Sequence, residues 1–281
     1  MDRTRMYFSR KFILIYLIIM LASISPVEVD GQEKGITTEV VFLGDSITEG
    51  LGKGDESYVN KLPEFGEPWN SDHILLRNLG VAGRQARYYT QNGLPSNLID
   101  SDFSGLTYIV VQLGTNDLNY LNNPDLFDTA YHALLGDLVS LNPEPQEIFT
   151  LQFPWFNFTK DYVDYNSFFQ GLNVENISHY ESIISQYQAI IKNVSLEFGF
   201  QSVDLWEITE NHRDYYIDDE VHLNALGAQT IAEKIHNELG SQISVIPPDT
   251  SEQLHFPSSI LVLATAFFII CMLKSRSKKI T

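Results

Sequence analysis

Apolar residues along the chain follow two alternating rhythms. Short, nearly unbroken runs at 39–43, 74–78, 107–113, 147–153 and 201–205 are rich in Val, Ile, Leu and Phe. Between them apolar residues recur at steps of three and four, as in Leu126, Ala130, Ala133, Leu134 and Leu138, and again in Ile183, Ile184, Tyr187, Ile190, Ile191 and Val194. An unbroken run suits a strand buried on both faces, whereas the three-to-four step places one apolar stripe on a helix. A last helix is predicted over 225–239, ended by Gly240. Strand and helix in alternation predict an α/β fold, a five-stranded parallel sheet with helices on both faces.

The two ends break this rhythm. Arg3, Arg5, Arg10 and Lys11 precede an apolar run over 12–22, the order of a secretory leader, so 1–31 is expected to be a signal peptide or, if uncleaved, an N-terminal anchor. Residues 256–273 contain no charge, and 18 residues of helix reach about 27 Å, close to the ~30 Å of a hydrocarbon core. Lys274, Arg276, Lys278 and Lys279 follow, which predicts a single-pass type I protein with a basic cytoplasmic tail over 274–281 and its domain extracellular or lumenal. The expected layout is a domain over 32–240, a linker over 241–255 containing Pro247 and Pro248, and the transmembrane helix.

Charge narrows the partners. Eight of the 18 Lys and Arg lie in the two ends but only one of the 36 Asp and Glu, so 27–255 carries a formal charge of −25. Nucleic acid is excluded as a partner by such a field, and neutral or cationic substrates are favoured over polyanions. The single cysteine, Cys271, lies in the predicted span, so the domain has no disulfide and rests on its core. Asn157, Asn176 and Asn193 begin glycosylation sequons, consistent with a glycoprotein.

The polar motifs fall where the strands end, and the carboxyl edge of a parallel sheet is where such folds hold their sites. Gly44-Asp45-Ser46 follows the first run, Asn78-Leu79-Gly80-Val81-Ala82-Gly83 the second, Gly114-Thr115-Asn116-Asp117 the third, and Asp219-Glu220-Val221-His222 comes after the fifth. Taken singly, each has a plain reading: Ser46 or Asn116 as a helix cap, and Gly80 and Gly83 as turn residues needing positive φ. Four in this order, each at a strand end, point to a serine nucleophile with its base.

That order resembles the SGNH or GDSL hydrolase family over roughly residues 38–240. The resemblance implies a flavodoxin-like three-layer fold and an ester hydrolase working through an acyl-enzyme, without metal or organic cofactor. It further implies Ser46 as nucleophile, His222 as general base, Asp219 as the carboxylate that orients the imidazole, and an oxyanion hole from the N–H groups of Ser46 and Gly80 and the side chain of Asn116. A neutral hydroxyl attacks poorly until a base within about 2.6–3.2 Å takes its proton. Asp218 is the adjacent rival to Asp219.

His73, His179, His212 and His236 lack metal-ligand spacing and read as surface or supporting groups. The stretch 154–175 exceeds an ordinary connection and carries Trp155, Phe156, Phe158, Tyr162 and Tyr165. It is expected to roof the pocket, with Trp155 and Phe156 as substrate contacts; a self-packed cluster at the sheet edge is the alternative. Aromatic faces suit a sugar ring or an acyl chain. The expected substrate is an acetyl ester on a glycan, with a lipase, lysophospholipase or thioesterase acting on lipid esters as the alternative. A silent glycan- or protein-binding module on the same fold is the reading from another class. The oligomeric state is left open.

Overall fold

The computed structural model of this protein describes residues 35–51, 57–100, 103–120, 123–141, 144–155, 177–219 and 221–247. The expected leader over 1–31, the span over 256–273, the basic tail, Phe156 and the sequons at Asn157 and Asn176 lie outside the described residues. Among the described residues no helix is long and apolar enough to cross a membrane.

Five strands form one sheet: β1 (Thr38–Gly44), β2 (Ile74–Gly80), β3 (Leu106–Gln112), β4 (Glu147–Leu151) and β5 (Gln201–Val203). All pairs are parallel, in the order β2-β1-β3-β4-β5. The two central strands explain the unbroken apolar runs, since every residue of β1 and all of β3 but its first is buried. Alternation would put polar side chains into one of the two helical layers.

The strand order divides the connections between the two faces. β1 leads outward to β2, and the chain then returns past β1 to β3, β4 and β5. Right-handed crossovers in opposite directions put their helices on opposite faces. Accordingly α3 (Ala86–Asn92), α5 (Pro124–Val139) and α6 (Ile177–Glu197) pack on one face, and α2 (Tyr58–Lys61) packs with α8 (Ala225–Leu239) on the other. The remaining short helices, α1 (Ser46–Glu49), α4 (Thr115–Tyr120) and α7 (Trp206–Thr209), each begin within three residues of a strand end. The direction of travel reverses between β1 and β3, and a crevice opens at such a reversal.

Three details depart from the expectations. The stripe of α5 is rotated: Leu126 and Ala133 are exposed, while Phe127 and Tyr131 are buried, with Phe127 stacked on Tyr187 of α6 at 4.3 Å between ring centres. The two large rings hold that face inward because they bury more apolar area than Leu126 and Ala133. β4 and β5 stop at Leu151 and Val203, short of the apolar residues Phe153 and Leu205, which are buried beyond the strand ends. The expected linker begins later, because Ile243 is buried and Ser244 is held by the Thr38 and Tyr108 hydroxyls at 2.9 and 3.2 Å.

Candidate active site

Ser46 is presented by a turn that its own neighbours build. Asp45, extended and fully buried, caps α1 by accepting the Ile47 N–H at 2.9 Å. Gly44 ahead of it lies so close to α1 that a Cβ would stand 2.0 Å from Thr48 Oγ1, so only glycine lets the strand turn this sharply. Thr48 Oγ1 donates to Gln112 Oε1 at 3.0 Å at the end of β3, which fastens the turn to the next strand. Ser46 is 6% exposed, and its own N–H, in the first turn of α1, has no partner inside the helix.

The base arrives from the loop before α8. Asp219 Oδ1 accepts the backbone N–H groups of Val221 and His222 at 3.0 and 2.9 Å, which folds Asp219 to His222 into one tight turn. Its other oxygen meets His222 Nδ1 at 2.6 Å, and His222 Nε2 meets Ser46 Oγ at 2.8 Å. A carboxylate on Nδ1 fixes the ring proton there, so Nε2 is left to accept the serine proton. Burial works against ionising Asp219, yet the hydrogen bonds from the His222 side chain and the two N–H groups outweigh it and hold its pKa below the usual carboxylate value. Asp218, the rival, is exposed. The turn is steadied by Asn224, which caps α8, and by the Ile217 N–H donated to the His222 carbonyl at 2.9 Å.

Opposite the base, two loops converge. Asn116, 3% exposed in the first turn of α4, donates from Nδ2 to the Arg84 carbonyl at 3.0 Å. That bond uses one amide hydrogen, fixes which end of the amide points inward, and leaves the second hydrogen for an oxyanion. The loop after β2 is stitched to the nucleophile turn residue by residue. Gly80 donates its N–H to Asn78 Oδ1 at 2.9 Å, Val81 to the Gly44 carbonyl at 3.1 Å, and Ala82 to Glu49 Oε2 at 2.7 Å.

The expectation of a Gly80 donor is therefore corrected. Its N–H is consumed by Asn78, its φ is not positive, and it is glycine because a Cβ would stand 2.3 Å from the Glu49 backbone nitrogen. Gly83, the other glycine of the motif, differs: φ is 76°, the space around it is open, and its N–H bonds to nothing among the described residues, which leaves it able to donate to an oxyanion. The motif contained both glycines, but spacing alone does not reveal which N–H a side chain two residues back already occupies. Asn78 is thereby explained as a brace, since its Nδ2 also donates to the Thr48 carbonyl at 2.6 Å.

Two buried carboxyls lie beneath the site and were not anticipated. Burial pushes Asp45 up to about 7, against the Ile47 N–H and the positive field of His222. Burial likewise pushes Asp117 up to about 7, against the Ala86 N–H, and the charge of Asp45 adds to the rise. Trp155, half-buried just beyond β4, donates its N–H to Thr209 Oγ1 at 2.8 Å and sets its ring edge-on to Tyr216 at 6.3 Å. Tyr216 bridges to Leu223, the residue after His222. Of the other histidines, His73 contacts the Gly35 carbonyl and His236 accepts from Trp69 Nε1; among the described residues no cluster of three ligands could hold a metal ion.

Comparison with known proteins bears on the fold and the family. In overall structure the chain is similar to a lipase/acylhydrolase from Enterococcus faecalis, at 14% identity and a TM-score of 0.55 over 75% of this chain and 99% of that one. It is also similar to a catalytic mutant of an acetylxylan esterase from Geobacillus stearothermophilus, at 18% identity and a TM-score of 0.52 over 73% and 96%. A third likeness is to the acetyl xylan esterase AlAXEase, at 19% and 0.51 over 71% and 98%. No curated protein sequence matches the chain. At such identities the likenesses speak to the fold alone, but the family model of the GDSL-like lipase/acylhydrolases matches residues 42–230, from the middle of β1 into α8. With that match spanning most of its length, the chain belongs to the GDSL-like lipase/acylhydrolase family and is a serine ester hydrolase.

Proposed function

We propose that the protein removes acetyl groups from glycans outside the cytoplasm, tethered to a membrane by residues 256–273. The observation that carries the substrate is Trp155: a flat, half-buried ring set edge-on to Tyr216, which bridges to Leu223 beside His222, and an aromatic face of this kind suits stacking on a sugar. The −25 charge of 27–255 favours a neutral polysaccharide over an anionic lipid surface. The acetylxylan esterases of similar fold add a precedent for that chemistry on this scaffold. The tether and the extracytoplasmic site rest on the two apolar ends and their basic flanks.

Ser46 Oγ attacks the acetyl carbonyl as its proton passes to His222 Nε2, and Asp219 steadies the imidazolium. The oxyanion is held by the N–H groups of Ser46 and Gly83 and the free amide hydrogen of Asn116. Collapse of the intermediate breaks the bond to the sugar oxygen, which takes the proton from His222 and leaves. Water, deprotonated by His222, then attacks the acetyl-serine, and acetate departs with Ser46 restored. No step calls for a metal or cofactor.

The test is hydrolysis of p-nitrophenyl acetate, butyrate and longer esters beside acetylated xylo-oligosaccharides, by the wild-type chain and Ser46→Ala. Serine-dependent turnover confined to short esters and acetylated sugars is expected. A preference rising with chain length would replace the glycan reading by a lipid esterase.

A further inference from the structure

The oxyanion side is built from two loops that come from different strands, and something must hold them in register. The residues that do so are Arg84, Gln85 and Ala86 after β2 and Asn116 and Asp117 after β3. Three hydrogen bonds join them in a row. Asn116 Nδ2 donates to the Arg84 carbonyl at 3.0 Å, Gln85 Nε2 donates to the Asn116 carbonyl at 3.0 Å, and the Ala86 N–H donates to Asp117 Oδ2 at 3.1 Å. The middle bond is the sole one of the three made by a side chain of the β2 loop.

Gln85 is suited to this task. It is 8% exposed and its oxygen is engaged by Arg87 Nε at 3.1 Å, which fixes the amide so that its nitrogen faces Asn116. Its main chain lies two residues from Gly83, whose N–H is uncommitted among the described residues, and its side chain grips the backbone of the residue whose amide completes the hole. We infer that Gln85 is a positioning residue of the oxyanion hole: it sets the distance between the Gly83 and Asn116 donors without touching the substrate.

The energetic consequence follows from how oxyanion holes work. Donors must stand 2.7–3.1 Å from the place where charge develops, and a misplacement of about 1 Å costs on the order of 10²-fold in rate. Removing the brace frees Asn116 to drift while the outer two bonds remain, so a loss of about 10- to 50-fold in kcat is expected. KM should stay within about twofold, because the ground-state ester does not depend on a well-placed oxyanion donor.

Two variants separate this role from a merely structural one. Gln85→Met keeps the length and removes both polar groups; Gln85→Glu keeps an acceptor for Arg87 but cannot donate to Asn116. Each is measured in the full-length protein for p-nitrophenyl acetate hydrolysis and for the rate at which an organophosphorus fluoride phosphonylates Ser46. The second readout needs no knowledge of the natural ester, since the phosphoryl oxygen enters the same hole. It therefore stands even if the glycan reading fails.

The expected result is a parallel fall in kcat and in phosphonylation rate for both variants, with an unchanged KM. In an Asn116→Ala background the same substitutions should cost less than about twofold, because the donor they position is gone. Full activity in either folded variant would overturn the assignment. So would an equal loss with and without Asn116, which would mean that Gln85 acts through the fold at large. Should Gln85→Met fail to fold, Gln85→Glu carries the same decision.

Discussion

The two sides of Ser46 are built on opposite plans. On one, Asp219 and His222 sit three residues apart in a single half-exposed turn, shaped by the hydrogen bonds of Asp219 to the Val221 and His222 N–H groups and to the His222 ring, with a long-range bond from His222 to Ser46. On the other, Gly83 and Asn116 come from different strand ends, are braced by Asn78, Gln85 and Asp117, and stand over buried carboxyls. A local pair tolerates movement of the rest of the molecule. A hole assembled from several loops is only as good as the packing that aligns it.

The broadest test of this contrast is the residue both sides share. Ser46→Ala should lower turnover by roughly 10⁴- to 10⁶-fold with an unchanged melting temperature, measured by steady-state kinetics and calorimetry. Residual serine-independent hydrolysis near the wild-type rate would dissolve both halves at once. Next, Asn116→Ala should lower kcat by about 10²- to 10³-fold. A wild-type rate would show that the far side contributes packing and no charge stabilisation.

Gly80→Ala should separate brace from donor. Its Cβ would enter the backbone of Glu49, and overpacking of this kind costs about 1–3 kcal/mol, read as a lower denaturant midpoint. Among molecules still folded, kcat should fall by much less than for Asn116→Ala. A large kcat loss at full stability would return the donor role to Gly80.

The smallest effect is in pH, and here the two sides have opposite signs. Asp45 and Asp117 hold their protons up to about 7 in the folded state but only to 3.8 when unfolded, so stability falls as pH rises between those values and is level above. Asp219 is lowered, so its contribution is present above 3.8 and is lost as pH falls through its folded value. Asp117→Asn should therefore flatten the decline in melting temperature between pH 5 and pH 8 by a few degrees, and Asp219→Asn should weaken the loss in acid. An unchanged decline in Asp117→Asn would mean that this carboxyl is already charged at neutral pH.

What the sequence disclosed follows the same division. The strands were legible because burial on both faces forces unbroken apolar runs, and the Asp219–His222 pair because its geometry is contained in four residues. The ends of β4 and β5 were not, since Phe153 and Leu205 are as buried as strand residues but lie beyond the last pair of the ladder, Leu151 and Val203. The motif does not reveal that the Gly80 N–H is engaged, because the Asn78 side chain that takes it turns back on its own loop, and spacing carries no trace of that. Gln85, Asp45 and Asp117 draw their importance from contacts across strands, which a linear pattern does not encode.

The place where Ser244 docks has a practical reach. Its carbonyl and N–H are pinned to Thr38 and Tyr108, at and near the amino ends of β1 and β3, and Gly35 enters beside His73 at the same edge. Ser46 lies past the other end of a seven-residue strand, about 23 Å away at ~3.3 Å per residue. A bead or fusion partner joined to the domain beside Gly35 or Ser244 is thus attached at the amino-terminal edge of the sheet, opposite the strand ends that carry Ser46.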